Sequence, residues 1–69
     1  MIEVFKTDVQ KPRDASRVKK ILQQGFPGCQ VSFDLEDCDK VLRMAGGSIE
    51  HERVIGLLRL AGFACQVLE

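Results

Sequence analysis

Residues 29–45 read CQVSFDLEDCDKVLRMA, and this stretch decides the fold because it predicts a β-hairpin. Apolar and polar residues alternate over residues 29–36, which is the period of a strand with one buried face. After the acidic segment at 34–39, residues 40–45 predict a second strand. Two such runs so close together favour antiparallel pairing.

A helix is predicted on each side of the hairpin. The first begins at Pro12, whose missing N–H suits a first helical turn, and it ends at Gly25. Its apolar residues recur on one face at helical spacing: Ala15, Val18 and Leu22. Residues 49–61 return to helical spacing, and Gly62 is well placed to end this second helix.

The two ends of the chain each predict one further strand, at residues 2–6 and 63–68. The order of strand, helix, hairpin, helix and strand predicts one α+β domain over residues 1–69. The expected architecture is the ferredoxin-like βαββαβ sandwich, with antiparallel sheet order 4-1-3-2 and two helices on one face.

The outer face of this sheet is expected to carry a small apolar patch. If Ile2 and Val4 point to the core, alternation sends Phe5 outward. The same counting sends Val41 and Arg43 outward on the neighbouring strand. Phe5 and Val41 would then lie on a face that no helix covers, so Phe5 becomes a candidate for binding a partner.

Composition excludes several classes of function. Ten basic and ten acidic residues cancel, so no overall basic field favours nucleic acid. No apolar run approaches the roughly 20 residues of a membrane span and no secretory signal is evident, so a cytoplasmic location is expected. The chain has no nucleotide-binding motif or catalytic-triad signature, so we expect neither an enzyme nor a bound cofactor.

The three cysteines and the single histidine are interpreted as structural or solvated residues. The cysteines form no C-x-x-C pair, which fits reduced thiols. Cys29 and Cys65 alternate with inward residues of edge strands and are expected in the core. Cys38 is expected to be a partly buried small residue near the hairpin turn. His51 has no nucleophile and no orienting partner in view, so it is expected to be solvated at a helix start.

Two further segments carry a resemblance. Val9-Gln10-Lys11-Pro12-Arg13-Asp14 follows the first strand, and apolar residues come one, four and eight positions after it. The second helix ends in Ala61-Gly62-Phe63. In these features the chain resembles the heavy-metal-associated, or copper-chaperone-like, domain family. That family has Met-x-Cys-x-x-Cys at the first segment, the same apolar offsets, and an Ala-Gly-Tyr/Phe turn.

The resemblance implies the fold of that family without its metal chemistry, because Lys11 and Asp14 stand at the positions of the two cysteines. Paired thiolates select soft metals, whereas a lysine cation opposes metal binding. We therefore expect a metal-free, non-enzymatic module for protein interaction or regulation. The alternative is a metal carrier with a displaced site around Cys38, aided by Asp37 and Asp8.

Charge is divided unevenly along the chain. Residues 1–33 carry six basic and three acidic groups, whereas residues 34–69 carry four basic and seven acidic groups. The basic groups of the first helix are candidates for binding a partner: Arg13, Arg17, Lys19 and Lys20. Members of the resembled family dock through faces of opposite charge, which implies another protein or weak self-association. The other interpretation is that these side chains serve solubility.

Overall fold

Residues 2–68, the part of the chain that a computed structural model describes, form four strands and two helices. The elements are β1 (Ile2–Thr7), α1 (Pro12–Gly25), β2 (Gln30–Asp34), β3 (Val41–Ala45), α2 (His51–Leu60) and β4 (Cys65–Val67). All strand pairs are antiparallel and the sheet order is β2-β3-β1-β4. The predicted ferredoxin-like α+β fold and its 4-1-3-2 order are therefore confirmed.

The helix α1 has the predicted limits and the predicted buried face. Lys11 is its extended N-cap and Pro12 opens the first turn. The residues on its inner face are buried, and they are the three predicted from the spacing: Ala15, Val18 and Leu22. The helix ends where the Phe26 N–H donates to the Leu22 carbonyl at 2.8 Å, and Phe26 itself is buried.

The helix α2 covers the same face of the sheet as α1. Its buried residues Val54 and Leu58 join α1 in one apolar cluster that also holds Leu42 and Met44 of β3. Gly62 has φ +96°, a left-handed conformation that suits glycine, and it turns the chain into β4. Gly62 thus ends the second helix, as the sequence predicts.

The inward row of β1 is the opposite of the predicted one. Phe5 is fully buried opposite Leu42, whereas Ile2 is 68% exposed. The prediction that Ile2 and Val4 face the core and that Phe5 faces outward is therefore wrong. The larger apolar side chain takes the core position, and its polar neighbours on the same row, Glu3 and Thr7, both have partners there.

The prediction that Phe5 and Val41 form an apolar patch on the outer face is also wrong. Val41 lies on the outer face, because it alternates with inward Leu42, but it is only 4% exposed. Arg43 is exposed on that face as predicted. Phe5 is absent from it, so neither member of the expected Phe5–Val41 pair is available to a partner.

Candidate functional site

Thr7 joins two connections at one end of the sheet. Its buried Oγ1 donates to the Lys40 carbonyl at 2.6 Å and accepts the Val9 N–H at 3.2 Å. The Thr7 N–H donates to the Asp39 carbonyl at 3.1 Å. The loop after β1 and the β2–β3 turn, which contains Cys38, are thus held side by side at one end of the sheet.

Asp8 joins a third connection to the same end. Its Oδ1 accepts the Ala64 N–H at 2.8 Å, which ties the loop after β1 to the segment before β4. The next residue, Cys65, is half-buried, and burial together with the nearby Asp8 charge raises the pKa of its thiol to about 11. Cys65 is therefore a neutral thiol at physiological pH and a poor nucleophile or metal ligand.

Lys11 and Asp14 stand at the two positions where the resembled family has its metal-binding cysteines. Lys11 is exposed at the helix N-cap, and the Asp14 carboxylate lies 3.7 Å from Arg17. Val9, which stands at the start of the motif segment, is fully buried in the core. None of these residues belongs to a cluster of three potential ligands within residues 2–68.

A group of three potential ligands does occur at Asp37, Cys38 and Asp39, whose ligand atoms lie within 4.8 Å of one another. Cys38 is exposed, so the expectation of a partly buried residue is wrong. Asp8, expected to assist Cys38, points instead to Ala64. The Asp37 carboxylate accepts the Asp39 N–H at 2.9 Å, and the Asp39 carboxylate lies 3.7 Å from Lys6. These interactions explain the cluster as an ordinary acidic turn.

His51 has an orienting partner that the sequence analysis missed. Its Nε2 lies 2.7 Å from Oε2 of Glu3, and its ring meets the Phe5 ring edge-on with centroids 5.6 Å apart. A carboxylate oxygen accepts hydrogen bonds, so the His51 tautomer with its proton on Nε2 suits this contact. The expectation that His51 lacks an orienting partner is wrong, whereas its predicted place at the start of the second helix is confirmed. The contact joins the start of α2 to β1.

The outward face of α1 is a row of basic side chains, which we call the basic face: Arg13, Arg17 and Lys20. Their spacing places them opposite the buried face of the helix, and all three are exposed. Lys19 is also exposed, but it lies about 100° round the helix from Lys20 and outside this row. Among residues 2–68, the one ion pair formed by these side chains joins Arg17 to Asp14 within the same helix. Three of the four predicted candidates on α1 therefore share one accessible surface.

The outer face of the sheet offers no aromatic side chain within the described part of the chain. The four phenylalanines all lie in or against the core: Phe5, Phe26, Phe33 and Phe63. Apolar contact on the outer face comes instead from Ile2 and Val4, beside exposed Arg43, which is the Cα partner of Val4. This surface lacks the stacking platform that sheet-based RNA-binding domains use.

No protein-family model matches the sequence, and no curated protein is significantly similar to it. Among residues 2–68, neither helix has the length and apolarity needed to span a membrane. The function is therefore inferred from the fold and from the geometry of the side chains.

Proposed function

We propose that this domain is a metal-free docking module of heavy-metal-associated type, which binds an acidic protein surface through the basic face of α1. The ferredoxin-like fold and the apolar spacing of α1 and α2 support the family resemblance. Lys11 and Asp14, at the places of the two metal-binding cysteines, support a function without metal.

The position of the charges along α1 is the observation that carries this proposal. Residues 11–25 hold five basic residues and one acidic residue. A helix dipole stabilises cations in the last turn, by about 0.3–1 kcal/mol each, and disfavours them in the first. Here Lys11 and Arg13 stand at the first turn beside Asp14, the one acidic residue, while the last turn has no basic residue. These two cations are placed where the helix dipole disfavours them, which supports a role in contacts with another molecule.

The partner surface is expected to be protein rather than nucleic acid. A chain with equal numbers of basic and acidic residues has no general attraction for phosphate backbones. The outer sheet face also lacks the aromatic groups on which single-stranded bases stack. An acidic patch on a protein matches the short row of three cations, and charge of this kind mainly accelerates association and selects the partner.

The test is a titration with a fluorescein-labelled helical peptide that has Glu at every fourth position. Arg17→Glu combined with Lys20→Glu should weaken binding about tenfold, because each lost exposed ion pair contributes up to about 1 kcal/mol. Arg43→Glu on the outer face of the sheet is the matched control and should leave the affinity unchanged. Binding should also weaken as salt rises, since the contacts are exposed.

Sedimentation at low and high salt extends the test to a second copy of the chain, because residues 34–39 supply four acidic side chains. Association that salt and the double variant both weaken would support docking between copies. Equal effects of the Arg43 and α1 variants on peptide binding would contradict the proposal. A stoichiometric Cu(I) or Zn(II) site abolished by Cys38→Ser would replace it with the metal-carrier alternative.

A further inference from the structure

The strand β4 lies at an edge of the sheet, between two surface hollows. The larger hollow, of about 390 Å³, is lined by Ile55, Arg59, Gly62, Phe63, Ala64 and Cys65. The smaller, of about 170 Å³, is lined by Lys6, Thr7, Asp8, Ala64, Cys65 and Gln66. Ala64 and Cys65 line both hollows, so the start of β4 separates them.

The edge of β4 has backbone groups that the domain does not use. Among residues 2–68, β4 pairs only with β1, and the Leu68 N–H donates to the Val4 carbonyl at 2.9 Å. Backbone groups of successive residues alternate between the two sides of an antiparallel strand. Those of Cys65 and Val67 therefore point to the free edge and offer two donors and two acceptors.

The larger hollow holds a charge without a counter-charge. Arg59 is exposed, and it takes part in none of the ion pairs formed among residues 2–68. In the smaller hollow, Lys6 faces Asp39 at 3.7 Å and Asp8 accepts the Ala64 N–H. Only the larger hollow therefore combines apolar walls with an unmatched cation.

We propose that the free edge of β4 binds an extended segment of a partner protein by strand addition, with an acidic side chain of that segment directed to Arg59. Main-chain hydrogen bonds to Cys65 and Val67 would provide affinity, and alternating side chains would enter the hollows on the two faces. A second copy pairing through the same strand supplies no such charge, because β4 itself contains no acidic residue. A partner segment with an acidic residue fits the edge better.

This surface differs from the basic face of α1, so the strand-addition proposal does not depend on the proposed function. The probe is the peptide acetyl-Val-Thr-Glu-Thr-Val-amide, added to the ¹⁵N-labelled protein. Its Val and Glu side chains would face the larger hollow and its Thr side chains the smaller one, which Lys6 and Asp8 line. We expect the amide signals of Cys65 and Val67 to shift most and their hydrogen exchange to slow.

Two matched peptides and two variants complete the experiment. Replacing Glu by Lys in the peptide, or Arg59→Glu in the protein, should weaken binding about fivefold, the scale of one exposed ion pair, and combining both changes should restore it. A peptide N-methylated on its pairing edge should lose binding, since it cannot donate to β4. Arg13→Glu on α1 should leave the affinity for the strand peptide unchanged.

The proposal is overturned if the N-methylated peptide binds equally well or if Arg59→Glu changes nothing. It is also overturned if Arg13→Glu weakens binding as much as Arg59→Glu does, because the peptide would then be held by general basic charge. If the α1 variants lose binding of the helical peptide but keep binding of the strand peptide, the two surfaces bind independently, as the proposal requires.

Discussion

The two side-chain rows of β1 differ in composition, and the more polar row is the one that faces the core. The outer row, Ile2, Val4 and Lys6, is two-thirds apolar, whereas the inner row is Glu3, Phe5 and Thr7. The core nevertheless takes the inner row, with Phe5 fully buried between two polar residues. Polar residues are tolerated in the inner row because they form hydrogen bonds with residues of other elements, and buried polar groups are stable when they are hydrogen-bonded.

Replacing Phe5 gives the largest expected effect on this comparison. Phe5→Ser should lower the free energy of unfolding by about 4 kcal/mol, because a buried aromatic ring is lost and a hydroxyl is left in the core. Such a loss is a large fraction of the stability of a small domain. Urea denaturation followed by circular dichroism would measure it.

The matched substitution on the outer row is Val4→Ser, which should cost less than about 1 kcal/mol because Val4 is only partly buried. Equal losses at the two positions would show that both faces of β1 are packed. A larger loss at Val4 than at Phe5 would reverse the assignment of the faces.

Elements that follow from local spacing were predictable from the sequence, and contacts between distant residues were not. The apolar periods of residues 15–22 and 29–45 predict α1 and the hairpin, and Pro12 and Gly62 predict helix ends that the structure confirms. The basic face of α1 follows from the same helical period. These features depend on neighbours within a few residues, which a pattern can report.

The faces of β1 depend on side chains far away in the sequence. Glu3 meets His51 across 48 positions, and Thr7 meets Lys40 across 33. No local pattern indicates such pairs, so Glu3 and Thr7 look like solvent-facing residues. One signal was available: Phe5 is the largest apolar side chain of β1, and assigning it to the core would have brought Glu3 and Thr7 inward and given His51 a partner.

Thr7 gives a smaller test of why the inner row tolerates polar residues. Thr7→Val keeps the shape but removes the hydroxyl, leaving the Val9 N–H and the Lys40 carbonyl without that partner. We expect a loss of about 2 kcal/mol, the range for unsatisfied buried groups. Thr7→Ser retains the hydroxyl and should recover more than half of this loss in the same urea measurement. If serine were no better than valine, methyl packing rather than hydrogen bonding would hold Thr7 inward.

Cys65, the Cα partner of Thr7 on β4, gives the smallest expected effect. Its pKa of about 11 in the folded state exceeds the ordinary thiol pKa of 9.0, so the folded state keeps the proton that the unfolded state loses between these values. Stability from this thiol is therefore fully present below pH 9 and falls as pH rises toward 11, by about 1 kcal/mol at pH 10.

The check is the unfolding free energy of the protein and of Cys65→Ala at pH 8 and pH 10. The variant should lose less stability over this interval, whereas Cys38→Ala, at the exposed thiol, should behave like the unaltered protein. The same pH slope in both variants would show that Cys65 titrates normally and that its inward position does not protect the proton.

The hydroxyl of Thr7 has a further consequence for local motion. One oxygen contacts both loops, because it donates to the Lys40 carbonyl of the β2–β3 turn and accepts the Val9 N–H of the loop after β1. We therefore expect opening of the turn to loosen the start of the neighbouring loop, and the amides of Thr7 and Val9 to show similar protection from hydrogen exchange.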